Sequence, residues 1–255
     1  VVIANGLLTG GYLPNPDGRN TAFTLLVKTM AREVGTGSGV DLFVVHGSTD
    51  APTVDVKVRE LSSATIVDNA AYKDITPYLT APAQSLTLDL YLGNGVNYVA
   101  SFTAPLSGLG GGAAAVFASG FLDPTGNQNG AAFGLFAALA NGTVVQLASA
   151  PAPNARVQVI HNSADILAGS VDVYVNDALS IPDFAFRTAT PFIDLPAGVT
   201  LNIGIAAGNS SSVNDTLKNF PVILSADEKY VVIANGLLTG GYLPNPDGRN
   251  TAFTL

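Results

Sequence analysis

The 255 residues include no cysteine, which excludes disulfide staples and thiolate metal sites and leaves the redox compartment open. Charge is scarce too. Only 12% of the residues are charged, about half of the roughly 25% found in an average soluble domain. The apolar share is ordinary at 47%, so Gly, Ser, Thr, Asn and Ala stand where charges would. A surface so short of charge suits a protein packed against copies of itself, or one placed outside the cell. Basic residues number 11 against 19 acidic ones, for a net charge of -8. That balance argues against nucleic acid and anionic membranes, both of which attract basic patches. Long apolar runs are also missing. Leu109–Leu122 is broken by Gly110, Gly111 and Gly112, and Ala131–Ala140 is short, so neither reaches the length of a membrane span. No initiator Met or signal peptide opens the chain, which starts inside a strand-like run. It is expected to be a piece or a mature form, with any targeting segment elsewhere.

What is present is a series of short alternating or β-branched runs. They are Val40–His46, Val54–Arg59, Leu86–Leu92, Ala113–Leu122, Ala155–His161, Val171–Val175, Leu201–Ala206 and Tyr230–Asn235. Turn residues separate them, among them Gly93-Asn94-Gly95, Asn141-Gly142, Pro196-Ala197-Gly198 and Pro246-Asp247-Gly248. Period-two patterning with turn signals every eight to twelve residues or so reads as all-β, a sandwich or a barrel. Ala131–Leu139 reads as a strand by the same rule.

Two repeats overlie this pattern. The segment Val1–Leu25, VVIANGLLTGGYLPNPDGRNTAFTL, recurs letter for letter as Val231–Leu255. A weaker repeat relates VVHGSTDAPTVDVKV (Val44–Val58) to VIHNSADILAGSVDVYV (Val159–Val175). In it His46, Ser48 and Asp50 answer His161, Ser163 and Asp165, and Asp55 answers Asp172 after a two-residue insertion. Further on, Ala115–Phe136 answers the duplicated segment at the chain's end. The expected division is a strand segment over 1–36, a first domain over 40–149 and a second over 155–255. Between the domains lies the ASAPAPN stretch (Ala148–Asn154), whose Pro151 and Pro153 favour a stiff, extended linker over 150–154.

These motifs resemble the bacterial domain-of-unknown-function family 4397, whose signature is a strand ending in Val/Ile-His, then Ser-x-Asp, then a VDVYV-type strand. Both copies carry it, and the second replaces the Ala-Pro after the Asp with Ile166-Leu167. The resemblance implies secreted or surface-attached proteins built from tandem β-sandwich modules, and no known activity. The expected fold is therefore all-β, two tandem immunoglobulin-like or transthyretin-like sandwiches, with N-terminal strands complementing a neighbouring unit.

The residues that could carry chemistry are few. Both histidines, His46 and His161, are followed by Ser and Asp, which invites a catalytic triad. A triad needs an exposed nucleophile and a base oriented by a third group. Three residues inside one five-residue strand end converge poorly. The expected role of His46, Ser48, Asp50, Asp55, His161, Ser163, Asp165 and Asp172 is therefore structural, as hydrogen-bond partners in their own loops. Asp123, Asn127 and Asn129, and Asp247 in the counterpart loop, are weak calcium candidates, because the spacing is not that of an EF-hand and Pro-Asp-Gly is itself a turn. No catalytic residue, cofactor or firm metal site is assigned. The leading functional expectation is a structural extracellular protein at the cell surface, a repeat unit of a filament or matrix whose partner is itself. Its contact residues would be Val1, Val2, Ile3, Phe23, Leu25, Val27 and Met30, donated to a neighbour by strand addition. The alternative is an adhesin or glycan-binding module recognising another cell's surface. On this reading Val1–Glu33 should not pack into the core of the first domain, and should lie instead as strands of a neighbouring second-type sandwich.

Overall fold

A computed structural model describes all residues, Val1–Leu255. The chain forms two compact units, Val1–Ala152 and Pro153–Leu255.

The first unit opens with β1 (Val2–Asn5) and β2 (Thr24–Val27), an antiparallel ribbon with Val2 opposite Val27 and Asn5 opposite Thr24. There follow β3 (Val40–His46), β4 (Val54–Val58), β5 (Ala64–Ala70), β6 (Leu79–Ala81), β7 (Ser85–Leu92), β8 (Tyr98–Pro105), β9 (Ala113–Ser119), β10 (Gly134–Leu139), β11 (Val144–Gln146) and β12 (Ala148–Ser149). One sheet has the order β11-β10-β9-β3-β6 and the other β12-β8-β7-β4-β5. The two face one another across a single core. Val40 and Leu42 of β3, Val116 of β9 and Leu135 of β10 meet Val56 of β4, Leu86, Leu88 and Leu90 of β7, and Phe102 of β8. The alternation in β7 is what sends its three leucines inward. Its one buried carboxylate, Asp89, is paired with the Arg59 guanidinium at 2.5 Å.

The second unit consists of β13 (Asn154–His161), β14 (Ser170–Val175), β15 (Ala178–Ala185), β16 (Ile193–Pro196), β17 (Thr200–Ala207), β18 (Thr216–Ile223) and β19 (Lys229–Ala234). Its sheets run β16-β13-β19 and β15-β14-β17-β18. Strand for strand this repeats β6-β3-β9 and β5-β4-β7-β8 of the first unit. The hairpin between β14 and β15 turns at Asn176 and Asp177, both with positive φ (47° and 68°), as the twist of a two-residue hairpin demands. In both units the first strand of the sandwich pairs in parallel with the strand that follows the second sheet. His46 lies opposite Ala118 in one, and His161 opposite Ala234 in the other.

The linker expected over 150–154 follows a short strand that ends the first unit, and its start is held to that unit. Ala148 and Ser149 pair with Thr103 and Phe102, the Ala150 N–H donates to the Ser101 carbonyl, and Arg59 donates to the Pro151 carbonyl at 2.9 Å. One expectation needs correction. Val1–Glu33, expected to lie as strands of a neighbouring second-type sandwich, lies on the outside of the first one. The reason is the outer face of β3 and β9, which carries Phe43, Val45 and Ala115 away from the core. Ile3 and Leu26 of the ribbon cover that apolar patch. Further contacts hold the segment down. Lys28 donates to the Thr76 carbonyl, Tyr12 stacks on Phe121 at 5.5 Å between ring centres, and Asn15 donates to the Thr49 and Ala51 carbonyls. The ribbon stays outside the core between the sheets. Of the contact residues assigned from sequence, Ile3 is half-buried, while Val1, Val2, Phe23, Leu25, Val27 and Met30 are exposed in the single chain.

The far end of the segment is fixed by Asp41, which is fully buried at the start of β3. Its carboxylate accepts from the Thr80 hydroxyl (2.7 Å), from the Thr36 hydroxyl and N–H, and from the Arg32 guanidinium (2.7 Å). Arg32 itself lies 4.5 Å over the Tyr78 ring. Led by the Thr80 hydroxyl, these donors hold the Asp41 pKa down to about 2 against the opposing effect of burial. A carboxylate whose folded pKa is below its unfolded one stabilises the fold above about pH 5, and loses that effect as the pH falls towards its folded pKa. The thermal midpoint of the wild-type chain should exceed that of Asp41→Asn at pH 7, and the gap should close between about pH 5 and pH 2. A gap independent of pH would contradict this account.

Candidate functional site

The motif residues come together at one end of each sandwich, where the parallel strand pair terminates. In the first unit β3 delivers His46 with its ring buried, and β9 runs past it to Ser119 and Gly120. The His46 Nε2–H donates to the Pro52 carbonyl at 3.0 Å, which closes the loop His46–Pro52 on itself. The Ser48 hydroxyl donates to the Gly120 carbonyl at 2.7 Å. Asp50 accepts from the N–H groups of Leu122 and Asp123 and from the Asn127 side-chain amide, at 2.9–3.0 Å. The two ends of the β3–β9 pair are thus stapled across 72 residues of chain.

The second unit repeats the device with altered parts. His161 Nε2–H donates to the Ala168 carbonyl at 2.7 Å, and its Nδ1 accepts from the Ser163 N–H at 3.3 Å. The Ser163 hydroxyl donates to the Gly236 carbonyl at 2.6 Å. Asp165 accepts from both the N–H and the hydroxyl of Thr239, and from the Leu167 N–H. The last of these caps the short turn Ile166–Ala168, which absorbs part of the insertion that the second copy carries. The ring-to-carbonyl bond survives although its loop is one residue longer.

Burial pushes both imidazoles below the usual histidine range, the backbone carbonyls opposing it. Each ring is therefore neutral at pH 7, with its proton on Nε2. In each unit the imidazole and the serine hydroxyl donate to different carbonyls. His161 has both nitrogens engaged, and Ser48 and Ser163 are fully buried. The nucleophile and base of a triad are arranged otherwise, exposed and bonded to each other. Asp55 and Asp172 have a separate task. Each accepts the N–H of a residue with positive φ on the adjacent strand, Asn69 (φ 52°) or Asp183 (φ 50°), and so holds a bulge in place. The sequence-assigned set therefore forms, in each unit, a clamp of three residues and a bulge anchor nearby.

Two residues of the clamp were missed from sequence. Gly120 and Gly236 have φ of +86° and +90°, and a Cβ there would sit 2.3 or 2.4 Å from the Ala132 or Ala252 carbonyl oxygen. Only glycine fits. The signal was there, since the two glycines align in the weaker repeat. The calcium candidates are engaged in turns. Asp123 accepts from the Gly126 N–H, and Asn127, fully buried, donates to Asp50 and to the Asp123 carbonyl and accepts from the Leu13 N–H. Asn129 has a left-handed backbone (φ 56°), and the Asp247 N–H donates to Asn245 Oδ1. The side-chain oxygens of Asp123 and Asn127 thus accept from backbone N–H groups.

Fold and clamp together define a class of small all-β modules in which a strand-end His-x-Ser-x-Asp motif locks the first strand to a later parallel one. The family model described as Domain of unknown function (DUF4397) matches residues 140–249, and over that stretch the chain is similar to this family. The match takes in β13 to β19 and the second clamp, His161, Ser163 and Asp165, with Gly236 and Thr239. No curated protein matches the chain.

If Asp50 is a clamp, converting it to the neutral amide should loosen the loop after β9. Asp50→Asn removes charge-assisted bonds and turns an NH₂ toward donors, which should destabilise the first unit by about 2–3 kcal/mol. Denaturant unfolding would measure the loss, and amide exchange should report faster opening at Leu122, Asp123 and Asn127. Unchanged exchange at these amides would refute the clamp.

Proposed function

We propose that the chain is a structural repeat protein of the cell exterior, a unit of a surface filament or matrix whose principal partner is another copy of itself. The reading includes tandem immunoglobulin-like or transthyretin-like sandwiches, and end-to-end joining by strand complementation or by a covalent array. The observation that carries it is the duplicated segment in two settings. As Val231–Leu255 it supplies β19, paired with β13 inside a sandwich. As Val1–Leu25 it supplies β1, paired with β2 on the outside of one. Identity over 25 residues is expected where the same surface must fit the same partner twice, and such reuse is the logic of a repeating assembly. The low charge and the structural use of the motif side chains agree with it.

Electron microscopy of native material labelled with antibody against the chain tests this reading. Filaments or a sheet-like matrix at the cell surface, labelled at a regular spacing, are expected. Label confined to dispersed single molecules, at every concentration, would overturn it.

A further inference from the structure

The two sandwiches differ in how they close, and the difference names a docking site. In the first unit the outer edge of β9 is covered by β10, with Leu135 opposite Ala118 and Ala137 opposite Val116. Leu135 of β10, and Leu147 just beyond β11, are buried between the sheets. In the second unit β19 is the edge strand of its sheet, and one antiparallel bridge, Asn235 to Thr254, stands just beyond its end. Its sheet has three strands against five. An apolar cleft of about 540 Å³ opens beside it, lined by Val159, Ile203, Val222, Val232 and Leu255, whereas the corresponding core space in the first unit is about 70 Å³. On the far side of β19, Val231 and Ile233 are 52% and 46% exposed.

The chain also contains the strand that fits this edge. β1 is the same sequence as Val232–Asn235, and β2 pairs with it through Val2–Val27, Ile3–Leu26, Ala4–Leu25 and Asn5–Thr24. Transferred by the offset of the duplication, the register sets Val27 opposite Val232 and Leu25 opposite Ala234. Leu25 then takes the place that Leu135 holds in the first unit. In the single chain Leu25 and Val27 are 60% and 61% exposed, pointing away from the sandwich on which the ribbon lies. They are free to be covered.

We propose that β19 of one copy takes the place of β1 on the first unit of a second copy, so that β2 of the second copy closes the cleft of the first. This rests on the repeat-assembly reading and specifies its joint. The exchange is nearly neutral in hydrogen bonds, because every bond made by Val1–Asn5 can be made by the identical Val231–Asn235. The residues at the seam, Thr24-Leu25 or Thr254-Leu255, are the same from either chain. What is gained is burial of the outward face of β2. Ile233 takes the seat that Ile3 gives up against Phe43, an even exchange, while Leu25 replaces its twin Leu255 beside Ala234 and Val27 enters the cleft. Like-for-like exchange of an element between copies is a low-cost route to assembly, and a heterologous joint of this kind propagates head to tail.

The absence of native cysteine makes the test direct. In the full-length chain, Val27→Cys with Val232→Cys places two thiols on a cross-strand pair that lacks mutual hydrogen bonds, where Cα atoms approach closely enough for a disulfide. Mild oxidation should give a ladder of covalent dimers and higher oligomers on a denaturing gel. The shifted pair Val27→Cys with Val231→Cys should give far less. Equal yields from both pairs, no ladder, or an intrachain bond that runs as monomer would each overturn the joint. Val27→Asp is an independent check, since the residue is exposed on β2. Its monomer should keep the wild-type circular dichroism and melting, and its association by light scattering should weaken about tenfold or more. Unchanged association would overturn the joint as well. Filaments in native material without the ladder would leave the repeat reading standing and remove only this interface, whereas a ladder without native filaments would do the reverse.

Discussion

In each unit a buried carboxylate at the end of one strand decides where a distant strand must end. Asp50 and Asp165 are nearly fully buried, and each is surrounded by donors from the loop that follows the last strand of the parallel pair. A parallel pairing joins segments that a whole second sheet separates in sequence, so closing it costs much chain entropy and gives little local help. The Ser hydroxyl and the Asp carboxylate repay that cost at one place, by satisfying backbone groups that the strand end would otherwise bury unpaired. Register of the β3–β9 and β13–β19 pairs, the turn at the positive-φ glycine and the path of the closing loop all follow from it.

The same economy of charge recurs across the molecule. The chain has few acidic residues, yet six aspartates, Asp41, Asp50, Asp55, Asp89, Asp165 and Asp172, are buried. Each accepts from backbone N–H groups, from side-chain donors, or from an arginine. Burying a carboxylate is costly unless its oxygens are satisfied, so these positions specify single arrangements of loop and bulge. The surface left over is polar but weakly charged. Such a surface gives little long-range repulsion between copies, in keeping with a protein whose proposed partner is itself.

The duplicated segment shows how far identical residues depend on their neighbours. Val232 and Ala234 face a sandwich interior, while their counterparts Val2 and Ala4 face solvent; Ile233 is exposed, while Ile3 lies against Phe43 and Val45. A strand has two faces of opposite orientation, and which one is buried depends on what lies across it. The loop is equally adaptable. Tyr242 accepts from the Ile166 N–H in the second unit, whereas its twin Tyr12 stacks on Phe121.

Much of the architecture was legible in the letters. Alternation marked the main strands, the weaker repeat paired the units, and His46, Ser48, Asp50 and their counterparts marked a loop device, because short polar residues at a strand end have local backbone partners to bond. Gly120 and Gly236 could have been added from the same repeat. Other features were out of reach. That Asp50 reaches Asn127, that Asp41 gathers Thr80, Thr36 and Arg32, and that Ala148–Ser149 is a strand all depend on partners far off in sequence. The placing of Val1–Glu33 on the first unit was beyond it for the same reason. By itself the sequence determined which residues alternate, which turn and which recur, since those depend on backbone preference and side-chain size. Which face of the recurring strand is covered was decided only by the tertiary structure, because the outer face of β3 and β9 is apolar and burying it outweighs any preference the ribbon carries of its own.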